Sequence, residues 1–252
     1  MSPEYSLRLD DISYSFERWG QVVHALDHIE LEVPRGQWLM VVGSNGAGKS
    51  TLMNIISARL SGYSGSMKIF GEPHQRLSRK KLSALVFHVT QDPLRGTAPA
   101  LTVLENLIVS DPAGRMSHGR RRELEMKYHA LTAPFGLGDR LHQQAGALSG
   151  GERQLLALLI ARLRPCPLIL LDEPLGALDP TRAESCLKVL RDLHADGRTL
   201  VQVTHDIGLS AHVGDRTVGL QGGHVIYDSC GRIRNEQEIV ELSYLTTSQQ
   251  RV

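Results

Sequence analysis

The sequence lacks the features that mark a membrane span, a disulfide scaffold or a zinc protein. No apolar run approaches the roughly 20 residues that cross a bilayer, and the stretch from Met1 to Tyr5 has no basic region followed by an apolar one. The three cysteines, Cys166, Cys186 and Cys230, show neither CxxC nor Cys/His spacing. We therefore expect a protein of the reducing cytoplasm, for which any work at a membrane requires another, membrane-spanning subunit.

Net charge and basic clusters are also scarce. The formal net charge is +1, from 28 Lys and Arg against 27 Asp and Glu, so it gives no reason to expect nucleic acid or anionic lipid as a partner. The basic run Arg120–Arg122 is short, has no interleaved aromatics and is followed by Glu123 and Glu125, which indicates a solvated helix face. With 41% hydrophobic residues among 252, the chain has an ordinary globular composition, and we predict no nucleic-acid partner.

What the sequence does contain is a glycine-rich stretch at 43–51 that fits G-x-x-x-x-G-K-[S/T] at every defined position. The apolar run 38–42 before it predicts a buried strand, and helical apolar spacing follows from Lys49 to Leu60. Strand, loop and helix are the context that this motif needs, because loop N–H groups and the helix dipole together attract an anion. The predicted phosphate loop consists of Gly43, Ser44, Asn45, Gly46, Ala47, Gly48, Lys49, Ser50 and Thr51.

Two side chains of this loop have specific predicted tasks. Lys49 is expected to reach the β- and γ-phosphates of a nucleotide. The hydroxyl of Ser50 is expected to bind a magnesium ion, since this hard cation prefers oxygen ligands.

Short strands flank the phosphate loop. Alternation of apolar and polar residues at Tyr5–Ile12, Ile29–Val33 and Ser66–Phe70 predicts an antiparallel sheet beside the nucleotide core. Aromatics make up only 5% of the chain, yet three of them lie between the first two of these strands. Each of the three is a candidate either to stack on a base or to pack on the small sheet. They are Tyr14, Phe16 and Trp19.

Polar residues follow three further predicted strands, where open α/β sheets place ligand groups. The strand Ser83–Thr90 leads to Gln91, a candidate for contact with magnesium or the attacking water. The strand Thr199–Thr204 leads to His205, a candidate to hydrogen-bond the γ-phosphate and to orient Glu173 or the water. As one of 11 histidines, His205 has a plain surface role as its alternative.

Adjacent carboxylates end the third of these strands, Pro167–Leu171. If the strand continues through Asp172 and Glu173, their side chains point to opposite faces and serve different chemistry. We expect Asp172 to hold magnesium through water or Ser50, and Glu173 to polarise a water for in-line attack.

From Asp92 to Arg164 the pattern becomes helical and predicts a helical subdomain inserted into the core. Ser149 and Glu152 have capping-box spacing before a strongly apolar helix, which explains the segment structurally. However, Gly150 and Gly151 are poor helix formers that leave N–H groups open at the helix tip, as a second phosphate contact requires. Spacing alone leaves both explanations open.

Taken in order, these motifs resemble the ATP-binding-cassette (ABC) family of nucleotide-binding subunits over essentially the whole chain. The resemblance implies an α/β fold in which a P-loop NTPase core carries a small antiparallel β subdomain and an inserted helical subdomain. The elements that carry the resemblance are Gly43–Thr51, Gln91, Leu148–Glu152 with Arg153 and Gln154, Leu168–Glu173, Ala177–Asp179 and His205.

The resemblance also implies a division of one ATP-binding domain, 1–252. The core and the antiparallel subdomain would occupy 1–91 and 165–230, the helical subdomain 92–164, and a C-terminal helix 231–252. Asn235–Leu245 is the predicted helical part of that tail, in which we see no chemistry.

Site roles follow from the resemblance in the same way. ATP and Mg²⁺ are the implied cofactors, and Phe16 is the aromatic whose position best fits base stacking, with Tyr14 and Trp19 as alternatives. The implied catalytic residues are Glu173, His205 and Gln91, the implied metal ligands are Ser50, Gln91 and Asp172, and the implied nucleotide contacts beyond the phosphate loop are Ser149, Gly150, Gly151, Glu152 and Asp179.

Implied partners are a second copy and a membrane protein. In a head-to-tail dimer, the segment 149–151 of one copy would contact ATP held by the other. The segment 92–107 would dock on a polytopic permease at the cytoplasmic face of the cell membrane. The sequence 91–107 resembles importer subunits that work with lipoprotein substrate-binding proteins of the aromatic amino acid type, so we expect a separate substrate-binding protein.

The expected function is that of an ATPase subunit that energises solute import through ATP-driven dimer closure. Three alternatives are an exporter subunit, a soluble ABC clamp without a membrane partner, and a kinase with the same phosphate loop. A kinase would not need the segment 148–152.

Overall fold

The computed structural model describes residues 4–18, 20–92, 95–116, 121–176, 178–229 and 231. These residues form two compact units. The first contains the described residues within 1–88, 167–173 and 197–252, and the second those within 89–166 and 174–196. Trp19, Ala177 and the predicted tail helix lie outside the described residues. The domain division expected from the sequence stays a prediction.

The regular elements in chain order are as follows. The strands are β1 Tyr5–Arg18, β2 Gln21–Pro34, β3 Trp38–Gly43, β4 Ser64–Ile69, β5 Glu72–Pro73, β6 Val86–Val89, β7 Leu168–Asp172, β8 Thr199–Val203, β9 Arg216–Gln221 and β10 His224–Asp228. The helices are α1 Lys49–Ile56, α2 Arg79–Leu85, α3 Val103–Ser110, α4 Pro112–Met116, α5 Arg121–Thr132, α6 Gly150–Leu163, α7 Pro180–Ala195 and α8 Ile207–Val213.

Two sheets organise the strands, as the α/β expectation requires. The larger has the order β10-β9-β3-β8-β7-β6, and its β9-β3-β8-β7 neighbours are parallel. The smaller is antiparallel, in the order β2-β1-β4-β5. Every residue of β3, β7 and β8 is buried, which explains why these strands appear in the sequence as unbroken apolar runs.

In the core of the first unit, α1 packs in one buried cluster with residues of the strands. Leu39 and Val41 of β3 join Met53 and Ile56 of α1 in one buried cluster, which also includes residues of β1 and β2. The alternate residue Val42 packs instead with Ile207 and other residues from the opposite face. The nucleotide loop is thus fixed at both ends by buried apolar packing. Among the residues that the structure describes, no helix is both long and apolar enough to traverse a bilayer.

Two secondary-structure predictions are wrong, and one helix was not predicted. The segment 83–85 is helical rather than extended, because α2 begins at a Ser78 cap and continues to Leu85. Tyr14 and Phe16 lie within β1 rather than between two strands, since β1 extends to Arg18. The sequence analysis also missed α8, whose start is capped by the Asp206 side chain.

Candidate functional site

The loop between β3 and α1 follows a path that only glycine allows at Gly48. This residue caps α1 with a φ of 102°, and a Cβ there would lie 2.4 Å from the Ala25 carbonyl oxygen and 2.8 Å from Leu26 Cδ2. The loop is also tied down at Ala47, whose carbonyl accepts a hydrogen bond from Gly223 N–H at 3.2 Å. Backbone contacts with β2 and the β9–β10 turn therefore hold the loop in place.

Within the loop, exposure divides the predicted contact residues. Asn45 and Gly46 are exposed at its tip, as is Ser50 in the first turn of α1, where Thr51 also lies. The other loop residues are more buried.

The ammonium group of Lys49 is folded back into this loop. Its Nζ donates hydrogen bonds to the carbonyl oxygens of Gly43 at 2.8 Å and Ser44 at 2.9 Å, and the residue is only 6% exposed. Burial lowers the pKa of Lys49, while the charges of Glu173 and Asp172 act in the opposite direction. A buried cation bonded to neutral carbonyls is favourably placed for an anionic ligand.

A second polar group of the loop also suits a phosphate. Ser44 Oγ is buried and has no hydrogen-bond partner in the structure. An unsatisfied buried hydroxyl is uncommon, because leaving it unpaired costs about 1–3 kcal/mol. Such a donor fits a site that takes a ligand rich in acceptor oxygens.

Asp172 lies at the end of β7, is 9% exposed and faces Ser50. Burial raises the pKa of its carboxyl, opposed by the hydrogen bond with Ser50. No group of three or more His, Cys, Asp or Glu side chains in the described part of the chain is arranged to hold a metal. Two neighbouring protein oxygens suit Mg²⁺, which keeps water ligands and completes its shell with substrate phosphates.

Glu173 and His205 form the next contact of the site. Glu173 Oε1 lies 2.5 Å from His205 Nε2, and Glu173 N–H donates to the Val203 carbonyl at 3.1 Å. The strand does not continue through Glu173 as the alternation argument requires, because its φ is 50° and β7 ends at Asp172. This left-handed conformation costs of order 1–3 kcal/mol in a non-glycine residue. The Glu173 charge also contributes to the raised pKa of Asp172, so the two carboxylates interact.

Phe16 is the more accessible of the two described candidate aromatics. It is 37% exposed, and its ring centroid lies 4.9 Å from that of Tyr14 in an edge-on arrangement. Tyr14 packs on the core and pairs in register with Leu26, which lies against Gly48. The aromatic pair therefore extends outward from the loop, with Phe16 at its open end.

In the second unit, α6 begins with a capping box. Ser149 Oγ accepts from Glu152 N–H at 3.3 Å, and Glu152 Oε2 accepts from Ser149 N–H at 2.9 Å, so the capping box is formed. Gly150 and Gly151 are the first two residues of α6, directly after this cap. A Cβ on Gly150 would meet nothing within 4 Å, so this glycine faces open space.

The start of α7 lies beside the start of α6. Asp179 caps α7 by accepting from Arg182 N–H at 3.0 Å, which gives this predicted nucleotide contact a structural role. The Arg182 guanidinium lies 3.2 Å from Glu152 Oε1 and also donates to the Phe135 carbonyl at 3.3 Å. Sequence reasoning missed Arg182, since no local pattern connects residues 30 positions apart.

Gln91 lies two residues beyond the end of β6 and is exposed. It belongs to the second unit, whereas the loop, Asp172, Glu173 and His205 belong to the first. Its role at the metal and the attacking water stays a prediction.

The chain is similar in sequence to known proteins of one family. The family model described as ABC transporter matches residues 26–176. The macrolide export ATP-binding/permease protein MacB of Hyphomonas neptunium is 32% identical over 241 residues, which cover 94% of this chain and 37% of the relative. The tyrosine transport ATP-binding protein of Clostridioides difficile is 31% identical over 231 residues, covering 88% of this chain and 91% of the relative. The chain thus spans little more than a third of the length of its MacB relatives.

Solved structures show the same fold. The dimeric post-hydrolysis state of the ATP-binding cassette MJ0796, bound to ADP and phosphate, superposes with a TM-score of 0.77 at 27% identity, covering 91% of this chain and 99% of that one. The cassette cbiO1 of Clostridium perfringens superposes with a TM-score of 0.75 at 24% identity, covering 97% and 96%. The latter supports the fold alone.

Proposed function

Because this chain belongs to the ABC transporter family and contains its ATPase domain, we propose that the loop 43–51 with Asp172, Glu173 and His205 is its site of ATP binding and hydrolysis. The observation that carries this proposal is the buried Lys49 ammonium, which is bonded to neutral carbonyls beside two carboxylates. A purely structural lysine would have a permanent anionic partner, whereas this one suits the β- and γ-phosphates.

The proposed ligand set for the cofactors combines the loop, the nearby carboxylate and the candidates named from the sequence. The loop N–H groups, Lys49 and Ser44 Oγ hold the phosphates, and Phe16 supports the base by stacking. Ser50 and Asp172, with Gln91, hold Mg²⁺, which when bound neutralises charge on the phosphates. The neighbouring Ser50 and Asp172 side chains fit that ion, since both offer oxygen.

Glu173 is the proposed general base, and His205 is its positioning partner. The short contact between Glu173 Oε1 and His205 Nε2 restricts the carboxylate to one orientation. The left-handed backbone at Glu173 ends the strand geometry of β7, so the direction of its side chain is set by this turn and by the contact with His205. In this proposal, Glu173 accepts a proton from the attacking water, and Asp172 serves the metal.

We further propose that the site is completed by a second copy. The segment 149–151 of one copy would contact ATP held by the other, with Glu152 and Asp179 fixing the two helix starts that present it. Gly150 faces open space, and the first N–H groups of a helix have no partner within it. The dimeric state of MJ0796 supports this arrangement.

The proposed transport role is solute import, with the chain at the cytoplasmic face of the membrane, the segment 92–107 docked on a permease, and a separate substrate-binding protein. Asn106 supports the docking segment, since its buried side chain accepts from Ala98 N–H at 2.8 Å and donates to the Ala98 carbonyl at 3.1 Å. Residues 93 and 94 lie outside the described part of the chain. The tyrosine transport relative, matched over 91% of its length, supports a transport subunit of this kind.

Export is the second candidate, because several of the matched relatives are named as macrolide export proteins. Vesicles that contain the chain with its co-purified permease would separate the two directions. Solute accumulation on the side that holds ATP supports import, and ATP-driven loss from that side supports export.

The hydrolytic proposal is tested by Glu173→Gln. We expect ATP to bind with unchanged affinity while hydrolysis slows by roughly 10²–10⁴, since the amide cannot accept a proton. Glu184→Gln, which removes one carboxylate of the exposed pair with Arg191, is the matched control and should keep full activity. Unchanged turnover in Glu173→Gln would refute the role of Glu173.

A further inference from the structure

Four ionisable side chains of the first unit form a chain of contacts that the proposed reaction does not use. His28 Nδ1 contacts Asp11 Oδ1, and His28 Nε2 lies 3.5 Å from Asp27 Oδ1. His224 Nε2 lies 3.4 Å from the other oxygen of Asp27, Oδ2. Asp27 is therefore shared by two imidazoles. We call Asp11, His28, Asp27 and His224 the histidine latch.

The backbone at the latch departs from regular strand geometry. The β1–β2 register shifts on both sides of the pair Ile12–Ile29, which places Asp11 on one bulge and His28 on the other. Both residues have left-handed backbones, with φ of 58° and 51°. His28 N–H donates to Ser13 Oγ at 2.9 Å rather than to a ladder carbonyl. Two adjacent bulges of this kind turn the paired side chains toward each other.

Two backbone routes connect the latch to the nucleotide loop. Asp27 N–H donates to the Gly223 carbonyl at 2.9 Å, and Gly223 N–H donates to the Ala47 carbonyl at 3.2 Å. On the same strand as Asp27, the Ala25 carbonyl lies 2.4 Å from where a Cβ on Gly48 would stand. A movement of Asp27 would therefore be transmitted to the nucleotide loop through these backbone contacts.

We propose that the histidine latch is a proton-dependent positioning device for the nucleotide loop, so that nucleotide binds more tightly when His28 is protonated. Protonated His28 attracts both Asp11 and Asp27, which keeps β2 and the turn 222–223 against the loop. When His28 is neutral, Asp11 and Asp27 lose the positive charge that lies between them. This inference rests on the proposed role of the loop 43–51 in nucleotide binding.

The charged groups around His28 set the pH range of the effect. The hydrogen bond to Asp11 and then the charges of Asp11 and Asp27 raise the pKa of His28 above its usual 6.5. Asp11 faces it from β1, Asp27 from its own strand, and His224 faces the shared Asp27 from β10. The latch is therefore formed below this raised pKa and is lost as the pH rises through it.

Linkage gives the proposal a second observable. If protonation of His28 favours nucleotide binding, nucleotide binding must raise the pKa of His28 by the corresponding amount. The His28 side chain is 74% exposed, so the coupling is modest, and we expect about a threefold change in affinity.

The experiment is calorimetric titration of ADP, which is not consumed, into the full chain between about pH 6 and pH 9. Over this pH range, we expect the ADP affinity of the unmodified chain to fall by a factor about three times as large as the factor for His28→Asn. Asparagine tolerates the left-handed backbone, so this variant should fold. His142→Asn is the matched control, because His142 forms an exposed pair with Glu125 at 2.7 Å in the second unit.

Each outcome is decisive. An equal pH dependence in the unmodified chain and His28→Asn, with ADP still bound, overturns the latch and leaves the proposed function intact. Failure of every protein, including the control, to bind ADP overturns the proposed function of the loop. Histidine proton NMR supplies the second readout: a His28 pKa that does not rise when ADP binds contradicts the inference.

Discussion

The nucleotide loop and the start of α6 both place glycines at a helix N-terminus, yet their charged groups are held in opposite ways. Beside the loop, burial lowers the pKa of Lys49 and raises that of Asp172, so folding disfavours both charges. At the start of α6, hydrogen bonds with Ser149 lower the pKa of Glu152, so folding favours its charge. The loop is suited to a ligand that compensates its charges, whereas the Glu152 charge at the start of α6 is already stabilised by hydrogen bonds within the chain.

The first prediction removes the buried ammonium group of the nucleotide loop and should have the strongest effect, on ATP affinity. Lys49→Met should lower ATP affinity by about 100-fold, or about 2.7 kcal/mol, because the phosphates lose their only buried cationic donor within the loop. Equilibrium ATP titration measures it. Lys68→Met, which changes an exposed lysine of β4, is the control and should bind normally. Equal affinity in both variants would contradict the role given to Lys49.

The second prediction concerns the path of the loop. Gly48→Ala should lower the free energy of unfolding by about 2–3 kcal/mol, because its Cβ meets the Ala25 carbonyl in addition to the left-handed penalty. Gly46→Ala shares the left-handed backbone but faces open space, so it should lose only about 1 kcal/mol. Urea unfolding compares them. Equal losses would show that contact with β2 does not constrain the loop.

The third prediction concerns the smallest effect. Removing a carboxylate should change the free energy of unfolding in opposite directions beside the nucleotide loop and at the start of α6. Because burial raises the folded-state pKa of Asp172, its ionised form opposes folding at neutral pH. Asp172→Asn should therefore raise the free energy of unfolding by about 1 kcal/mol at pH 7. Glu152→Gln should lower it, since the depressed pKa of Glu152 gives stability that is present above its unfolded pKa and is lost on acidification. If both variants changed the free energy of unfolding in the same direction, folding would not act oppositely on the Asp172 and Glu152 charges.

The sequence predicts the strand ends well and the tertiary contacts poorly. Asp172 and His205 were located because apolar strands end in polar residues at one edge of the sheet. The turn at Glu173 and the contact between Gly48 and Ala25 were not predictable, since each depends on a distant strand. For the same reason no pattern identified Arg182 as the partner of Glu152.

Local signals also failed where two patterns compete. The helix α8 has Asp206 as its cap, but Gly208 in its first turn weakens the helical pattern. Ser78 is the N-cap of α2, but the apolar residues toward the end of this helix favour a strand in the sequence. The predicted strand Ser83–Thr90 therefore begins within the helix. The capping box at 149–152 was predicted as one of two explanations, and the structure confirms its hydrogen bonds.

We propose above that the start of α6 in one copy contacts the ATP held by another copy. The most direct test is sedimentation of the slow-hydrolysing Glu173→Gln protein with ATP, alone and combined with Ser149→Arg. Combination with Ser149→Asn is the control, because asparagine keeps the helix cap. We predict an ATP-dependent dimer for Glu173→Gln and its control, and an ATP-bound monomer with Ser149→Arg. A dimer that persists with Ser149→Arg would contradict the claim.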